Sequence, residues 1–198
     1  MSTLITSNLK NPSSSGNNIV LNADGTCTPG FGKILQVQHN AVSAVVSGLG
    51  DSFNNCTGMG CSITPIAATS TILCFVDAKV SFEPELYLKM TKTVSGTTSD
   101  IATGATGYYT GFTGAYSGGS SSGRNYYGTS SEAVTFQDSV GSAGVAQTYQ
   151  LQWREANGNT GSPYYLNASV YGVATGLTTA VNYNPSGYSS VTLMEIGA

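Results

Sequence analysis

The chain has 198 residues, enough for one sizeable core or for one domain plus an arm. Only 9% of its residues are charged, and glycine (25) and tyrosine (12) are abundant in their place. Disordered chains are rich in charge and poor in aromatics, so a folded domain is expected. A formal net charge of −3 gives no electrostatic reason to expect a nucleic-acid partner. There is no run of about 18 apolar residues to cross a membrane as a helix, so no membrane partner is expected either.

The N-terminus, Met1-Ser2-Thr3-Leu4-Ile5-Thr6, lacks the basic start and apolar centre of a signal peptide, which points to synthesis in a cytoplasm. Residues 1–32 read as an extended arm. A polar, turn-rich stretch around Pro12 leads to the apolar Ile19-Val20-Leu21, and Asp24-Gly25 then signals a turn. Residues 27–32 read as a hinge. An arm with little core of its own must lie on another surface or fray. Leu9, Pro12, Ile19, Val20 and Leu21 are the residues expected to dock it.

Residues 33–198 read as a β domain. Leu35 and Val37 alternate with Gln36 and Gln38, the period of a half-buried strand. A second strand is expected at 41–46, then a loop at 48–60 carrying Cys56 and Cys61. These two cysteines, separated by Thr-Gly-Met-Gly, could close a small disulfide ring or remain free thiols. A zinc site would need a second closely spaced pair, which Cys27 and Cys74 do not supply. Cys74 lies in an apolar run and reads as a small buried hydrophobe.

The clearest strand is Thr71–Phe82. Ile72, Cys74, Val76, Ala78, Val80 and Phe82 share one face. Its first half is apolar on both faces, as expected of a segment inside the molecule or at a subunit interface. Glu83-Pro84-Glu85 reads as a turn to a return strand at 86–90. Residues 95–128 are low in complexity, with Tyr108, Tyr109, Tyr116, Arg124, Tyr126 and Tyr127 among glycines and serines. Tyrosine with small polar residues suits recognition of glycans or proteins, and suits an inter-strand or inter-subunit packing layer equally well. Further strands are expected at 133–137, at Gln147–Glu155 with Tyr149, Leu151 and Trp153 on one face, at 164–171, and at 190–196. That final strand, apolar on both faces at its centre, is expected inside a sheet rather than on a free edge.

No segment keeps a helical period. About eight to ten strands at this spacing predict an all-β fold, an antiparallel β-sandwich or jelly-roll-like domain, preceded by the arm. No catalytic constellation is present. His39, the single histidine, has no Gly-x-Ser-x-Gly elbow to pair with. Glu83 and Glu85 in a turn read as solvated carboxylates rather than a glycosidase pair. No catalytic residue, cofactor or metal ligand is expected, and the chain is read as a non-enzyme.

Three stretches carry a family resemblance: Ile5-Thr6-Ser7-Asn8-Leu9-Lys10-Asn11-Pro12-Ser13 with Asn17-Asn18-Ile19-Val20-Leu21 and Ala23-Asp24-Gly25; Lys33–Val37 with Ser62-Ile63-Thr64-Pro65; and Val191-Thr192-Leu193-Met194-Glu195-Ile196. Together they resemble virion structural proteins of tailed phages that infect aquatic bacteria such as cyanobacteria. The resemblance implies a non-enzymatic virion protein made in the host cytoplasm, commonly a homotrimer. It implies either a head decoration (cement) protein bound to the major capsid protein or other virion proteins, or a tail-fibre knob that recognises host-surface glycan. A short arm on one β domain, with no repetitive shaft, favours decoration.

Overall fold

The computed structural model describes residues 33–82, 85–102, 113–116, 128–155, 164–168 and 188–197, with backbone alone at 85, 102, 113–116 and 128–129. It also describes the backbone of three short strands, β1 (Asn8–Leu9), β2 (Ile19–Leu21) and β3 (Cys27–Pro29). Every regular element among these residues is a strand, and all pairings are antiparallel.

The body is built from β4 (Ile34–Val42), β5 (Val46–Gly48), β6 (Asn54–Ile63), β7 (Thr71–Phe82), β8 (Glu85–Val94), β9 (Thr97–Ala102), β10 (Thr113–Tyr116), β11 (Gly128–Ser139), β12 (Gln147–Glu155), β13 (Tyr164–Leu166) and β14 (Ser189–Ile196). Their pairing is nested. β8 pairs with β9 and β10, β7 with β11, β6 with β12, β5 with β13, and β4 with β14. The chain is thus one long hairpin of paired strands, folded over on itself. Its tip is the two-residue turn Ser95-Gly96, both with positive φ (50° and 82°), the conformation that matches the twist of a tight hairpin.

Folding the hairpin over produces two sheets. One has the order β4-β14-β7-β11, with β13 and then β5 continuing past β14 along the same edge of β7. The other has the order β6-β12-β8, with β9 and β10 sharing the far edge of β8. The eleven strands of these two sheets form an antiparallel β-sandwich.

The core fills the space between the sheets. Ile72, Cys74, Val76, Ala78, Val80 and Phe82 of β7 face Leu86, Leu88 and Met90 of β8 and Tyr149, Leu151 and Trp153 of β12, all buried. Each large apolar side chain so buried contributes about 1.5–3 kcal/mol before entropy is counted. The ring of Trp153 meets Tyr164 edge-on, with centroids 4.9 Å apart. Lys92 of β8 reaches Asp138 of β11 across the sandwich at 2.6 Å, and the Tyr149 hydroxyl donates to the same carboxylate at 2.7 Å.

Several expected elements change. The strand at 41–46 is instead the end of β4 followed by β5. The loop at 48–60 becomes mostly strand β6, because Cys56, Met59, Cys61 and Ile63 all find places in the core. Their burial outweighs a sequence rich in glycine and asparagine. The strand at 86–90 lengthens to β8 and is not the return partner of β7; the two lie in different sheets. The strand at 133–137 lengthens to the twelve residues of β11, whose polar outer face disguised it. The strand at 164–171 stops as β13 at Leu166, followed by Asn167 at φ 57°. Part of the expected hinge, Cys27–Pro29, is strand β3.

Of the two readings left open for Cys56 and Cys61, the structure has the free thiols. Cys56 and Cys61 lie in one strand, both buried and both free, and Cys74 is free as well. β6 does bulge between the partners of Gln150 and Gln152. Gly58 supplies the positive φ of 84° that the bulge requires. The Gln150 side-chain amide fills the gap by donating to the Cys56 and Met59 carbonyls at 2.9 and 3.3 Å. Both cysteines on either side of the bulge join the core.

Candidate assembly surface

Neighbouring strands of a sheet set their side chains side by side. The outer face of the β4-β14-β7-β11 sheet is therefore a grid of rows. The first row is Ile34, Ile196, Thr71 and Ser139; the second Val37, Met194, Leu73 and Gln137; the third His39, Thr192, Phe75 and Thr135. The fourth is Ala41, Ser190, Asp77 and Ala133. Ile34, Val37 and Phe75 are 57%, 48% and 37% exposed, and Leu73, Met194 and Ile196 are half-buried. These six residues form one continuous apolar field across β4, β14 and β7.

Charge on this face is confined to its far end, where Lys79 pairs with Asp77 at 2.5 Å and also donates to Ser131. The His39 ring shares a 2.8 Å hydrogen bond with the Thr192 hydroxyl. His39 lies within β4, on the open face.

The outer face of the second sheet is dressed differently. Ser62 bonds Thr148 and Thr93 bonds Thr98, each at 2.8 Å, and Gln152 donates to Asn55 at 2.8 Å. Lys89 pairs with Asp100 at 2.9 Å. Lys89 and Arg154 both lie over the Phe53 ring, at 4.5 and 5.0 Å from its centre. Its hydroxyls, amides and charges are matched to one another and to water. The two faces of one sandwich therefore have opposite characters, one with an apolar field and charge only at its far end, the other polar throughout.

The central strand of the apolar face is held from both ends. At one end Glu195 of β14 is fully buried. Its carboxylate accepts the backbone N–H of Ile66 (2.9 and 3.1 Å) and of Ala67 (3.2 Å), and the Gln36 amide at 2.7 Å. Burial alone would raise its pKa. The donated hydrogen bonds outweigh it, with the nearby Ser70 hydroxyl adding to them from beyond hydrogen-bond geometry, so the pKa is lowered.

At the other end, β14 and β13 leave a gap along β7 at Lys79. Ser189 and Asn167 close it. The Lys79 N–H donates to the Ser189 hydroxyl, the Asn167 N–H donates to the Lys79 carbonyl, and the Asn167 amide donates to the carbonyls of Val42 and Ala44. These bonds carry the sheet across the break between β14 and β13.

The β4 edge is stitched to the β6 edge by side-chain amides. Gln36 donates to the Thr64 carbonyl, and Asn40 donates to the carbonyls of Gly58 and Gly60, each at 2.7 Å. These contacts close the mouth of the sandwich along that side.

The residues singled out in the sequence fall in three groups. Leu9 lies in β1 and Ile19, Val20 and Leu21 in β2. β1, β2 and β3 pair only with one another among the described residues. Pro12 lies outside the described residues. Tyr116 ends β10, opposite Glu85 at the edge of β8, whereas Tyr108, Tyr109, Arg124, Tyr126 and Tyr127 lie outside the described residues. Cys56 and Cys61 are core residues. Burial pushes the Cys56 and Cys61 thiols up, and burial with the nearby Cys61 and Asp138 pushes Cys74 up to about 12. Burial thus favours the protonated thiol at all three.

The grid itself was not named from sequence, although its signal was present: β7 and β14 are the two strands apolar on both faces. Comparison of the chain with protein-family models and with curated proteins finds no match.

Proposed function

We propose that the protein is a non-enzymatic structural component of a tailed-phage particle, a decoration protein that binds the head through residues 1–32 and packs through its β body. The observation that carries this reading is the uncharged apolar field on one outer sheet face, beside a second face matched to water. Two further features support it. The strands of the arm pair among themselves, as a separable docking element would. The jelly roll is a fold used by viral capsid proteins, an analogy at the level of fold alone. The core between the sheets is filled by large side chains, Trp153, Tyr149 and Met59 among them.

The test is deletion of residues 2–30. The truncated protein is expected to keep cooperative unfolding, since among the described residues the arm strands share no pairing with the body, and to lose attachment to purified heads. Normal head occupancy by the truncated protein overturns the reading.

The second reading is a tail-fibre knob that recognises host-surface glycan through the tyrosine-rich segment. It is favoured by β10, which anchors that segment at the edge of β8. Saturable binding of the purified protein to host cells, competed by their surface polysaccharide, would select it over decoration.

A further inference from the structure

We infer that residues 66–69 form a latch that acid opens. Glu195 clasps this segment against the end of the sandwich, and protonation of the carboxylate releases it while the two sheets stay folded.

The segment has little else to hold it. It crosses from β6 to β7 between the buried Pro65 and the buried Ser70. Within it Ile66 is 63% exposed, and Ala68 and Thr69 are exposed as well. Little apolar surface is removed from water there, so the segment belongs to the low end of local stability. Its centre hangs on the Glu195 carboxylate, which accepts the N–H groups of Ile66 and Ala67. The Ser70 N–H bond to the Ala67 carbonyl is a turn within the segment and can move with it. The two ends are tied differently. Gln36 donates to the Thr64 carbonyl, the Gly144 N–H to the Pro65 carbonyl and the Val140 N–H to the Ser70 carbonyl. No titratable group enters these bonds, so acid weakens the clasp and spares the anchors on either side.

Glu195 is the group that acid addresses. Its row on the inner face of the sheet is Gln36, Glu195, Ile72 and Asp138. Asp138 lies two strands away and is held by Lys92 and the Tyr149 hydroxyl. The buried thiols of Cys61 and Cys74 keep their protons, and Lys33, just before β4, is exposed to water. Residues 64–70 and 140–146 carry no titratable side chain. The closed clasp favours the ionised carboxylate, because two backbone N–H groups and an amide point at it. Once opened to water the same carboxyl binds a proton more tightly. The opening constant therefore rises as pH falls below the ordinary glutamate value of about 4.3, by up to about tenfold per pH unit, until the closed form is protonated too.

Amide hydrogen exchange on the full chain reads the latch residue by residue, with each rate compared with that of an unstructured chain at the same pH. Protection at Ile66 and Ala67 is expected to hold from pH 7 to about 5 and to fall several-fold by about pH 3.5. In low urea, exchange at these two amides is expected to stay independent of urea, the mark of an opening that exposes little surface. Exchange at Val76, in a strand paired on both sides, is expected to quicken with urea. Emission from Trp153, the one tryptophan and a core residue, is expected to be unshifted at the acid end. Glu195→Gln is expected to exchange at 66 and 67 at pH 7 as the wild type does in acid, with no further response to pH. The wild-type series decides the question by itself if that variant does not fold. Protection at 66 and 67 that ignores pH, or that is lost with the urea dependence of Val76, overturns the inference. So does a pH dependence that survives in Glu195→Gln, which would belong to Asp138.

Discussion

Glu195 shows what one residue can do in this fold. It is an acid in the core of the last strand, where isolation would be costly. Four donated hydrogen-bond contacts hold it ionised and tie the 65–67 segment to β14. Because its folded pKa lies below the ordinary value, its contribution to stability is fully present above that ordinary value, near 4.3. The contribution is lost as pH falls through the folded value. The thermal midpoint is therefore expected to hold from pH 7 to about 5 and to fall below about 4. Glu195→Gln is expected to lower the midpoint at pH 7 by a few degrees and to flatten its decline in acid; melts across this pH range read both. Gly48 makes a different point. A Cβ there would stand 2.0 Å from the ring of Tyr164, its partner across β5 and β13. That ring is buried against Trp153 and has little room to retreat. Gly48→Ala is expected to destabilise the body by about 1–3 kcal/mol in denaturant unfolding, the usual range for overpacking.

At the scale of elements, β6 and β11 were the hardest to read and β7 and β12 the easiest. Thr71–Phe82 and Gln147–Glu155 carry unbroken period-two patterns, and both strands occupy those bounds. β6 has no such pattern because its bulge breaks the period between Cys56 and Cys61. Side chains from other strands, Gln150 opposite and Asn40 of β4, bond the carbonyls that the break frees. The same geometry gives a chemical prediction. Cys56, Cys61 and Cys74 are expected to resist alkylation in the folded protein and to react once it is denatured. Peptide mapping without reductant is expected to show no 56–61 link; recovery of that link as a native disulfide would contradict the placement of β6. The hairpin tip at Ser95-Gly96 had a legible turn signal that its low-complexity surroundings masked.

At the scale of the whole molecule, nesting makes the last strand depend on the first. β14 lies between β4 and β7, pairing along both of its edges, and it contributes Val191 and Leu193 to the core. Deletion of residues 189–198 is expected to abolish cooperative unfolding and to expose Trp153, seen as a red-shifted emission. A truncated chain that still melts cooperatively would show that the sandwich does not need closure. The apolar field belongs to this scale too. Its six residues come from positions 34 to 196, and none marks a site on its own.

The all-β class, the faces of β7 and β12, and the interior position of the last strand were legible along the chain. The first two follow from side-chain alternation, a local property with a period of two, and the third from a run apolar on both faces. Which strands pair, that β8 leaves β7 for the opposite sheet, that Cys56 and Cys61 stay apart, and that Glu195 turns inward were decided only in the tertiary structure. So was the union of Ile34, Val37, Leu73, Phe75, Met194 and Ile196 into one surface. Those outcomes depend on residues far apart in the chain meeting across a sheet, and alternation along a single strand carries no information about its neighbour.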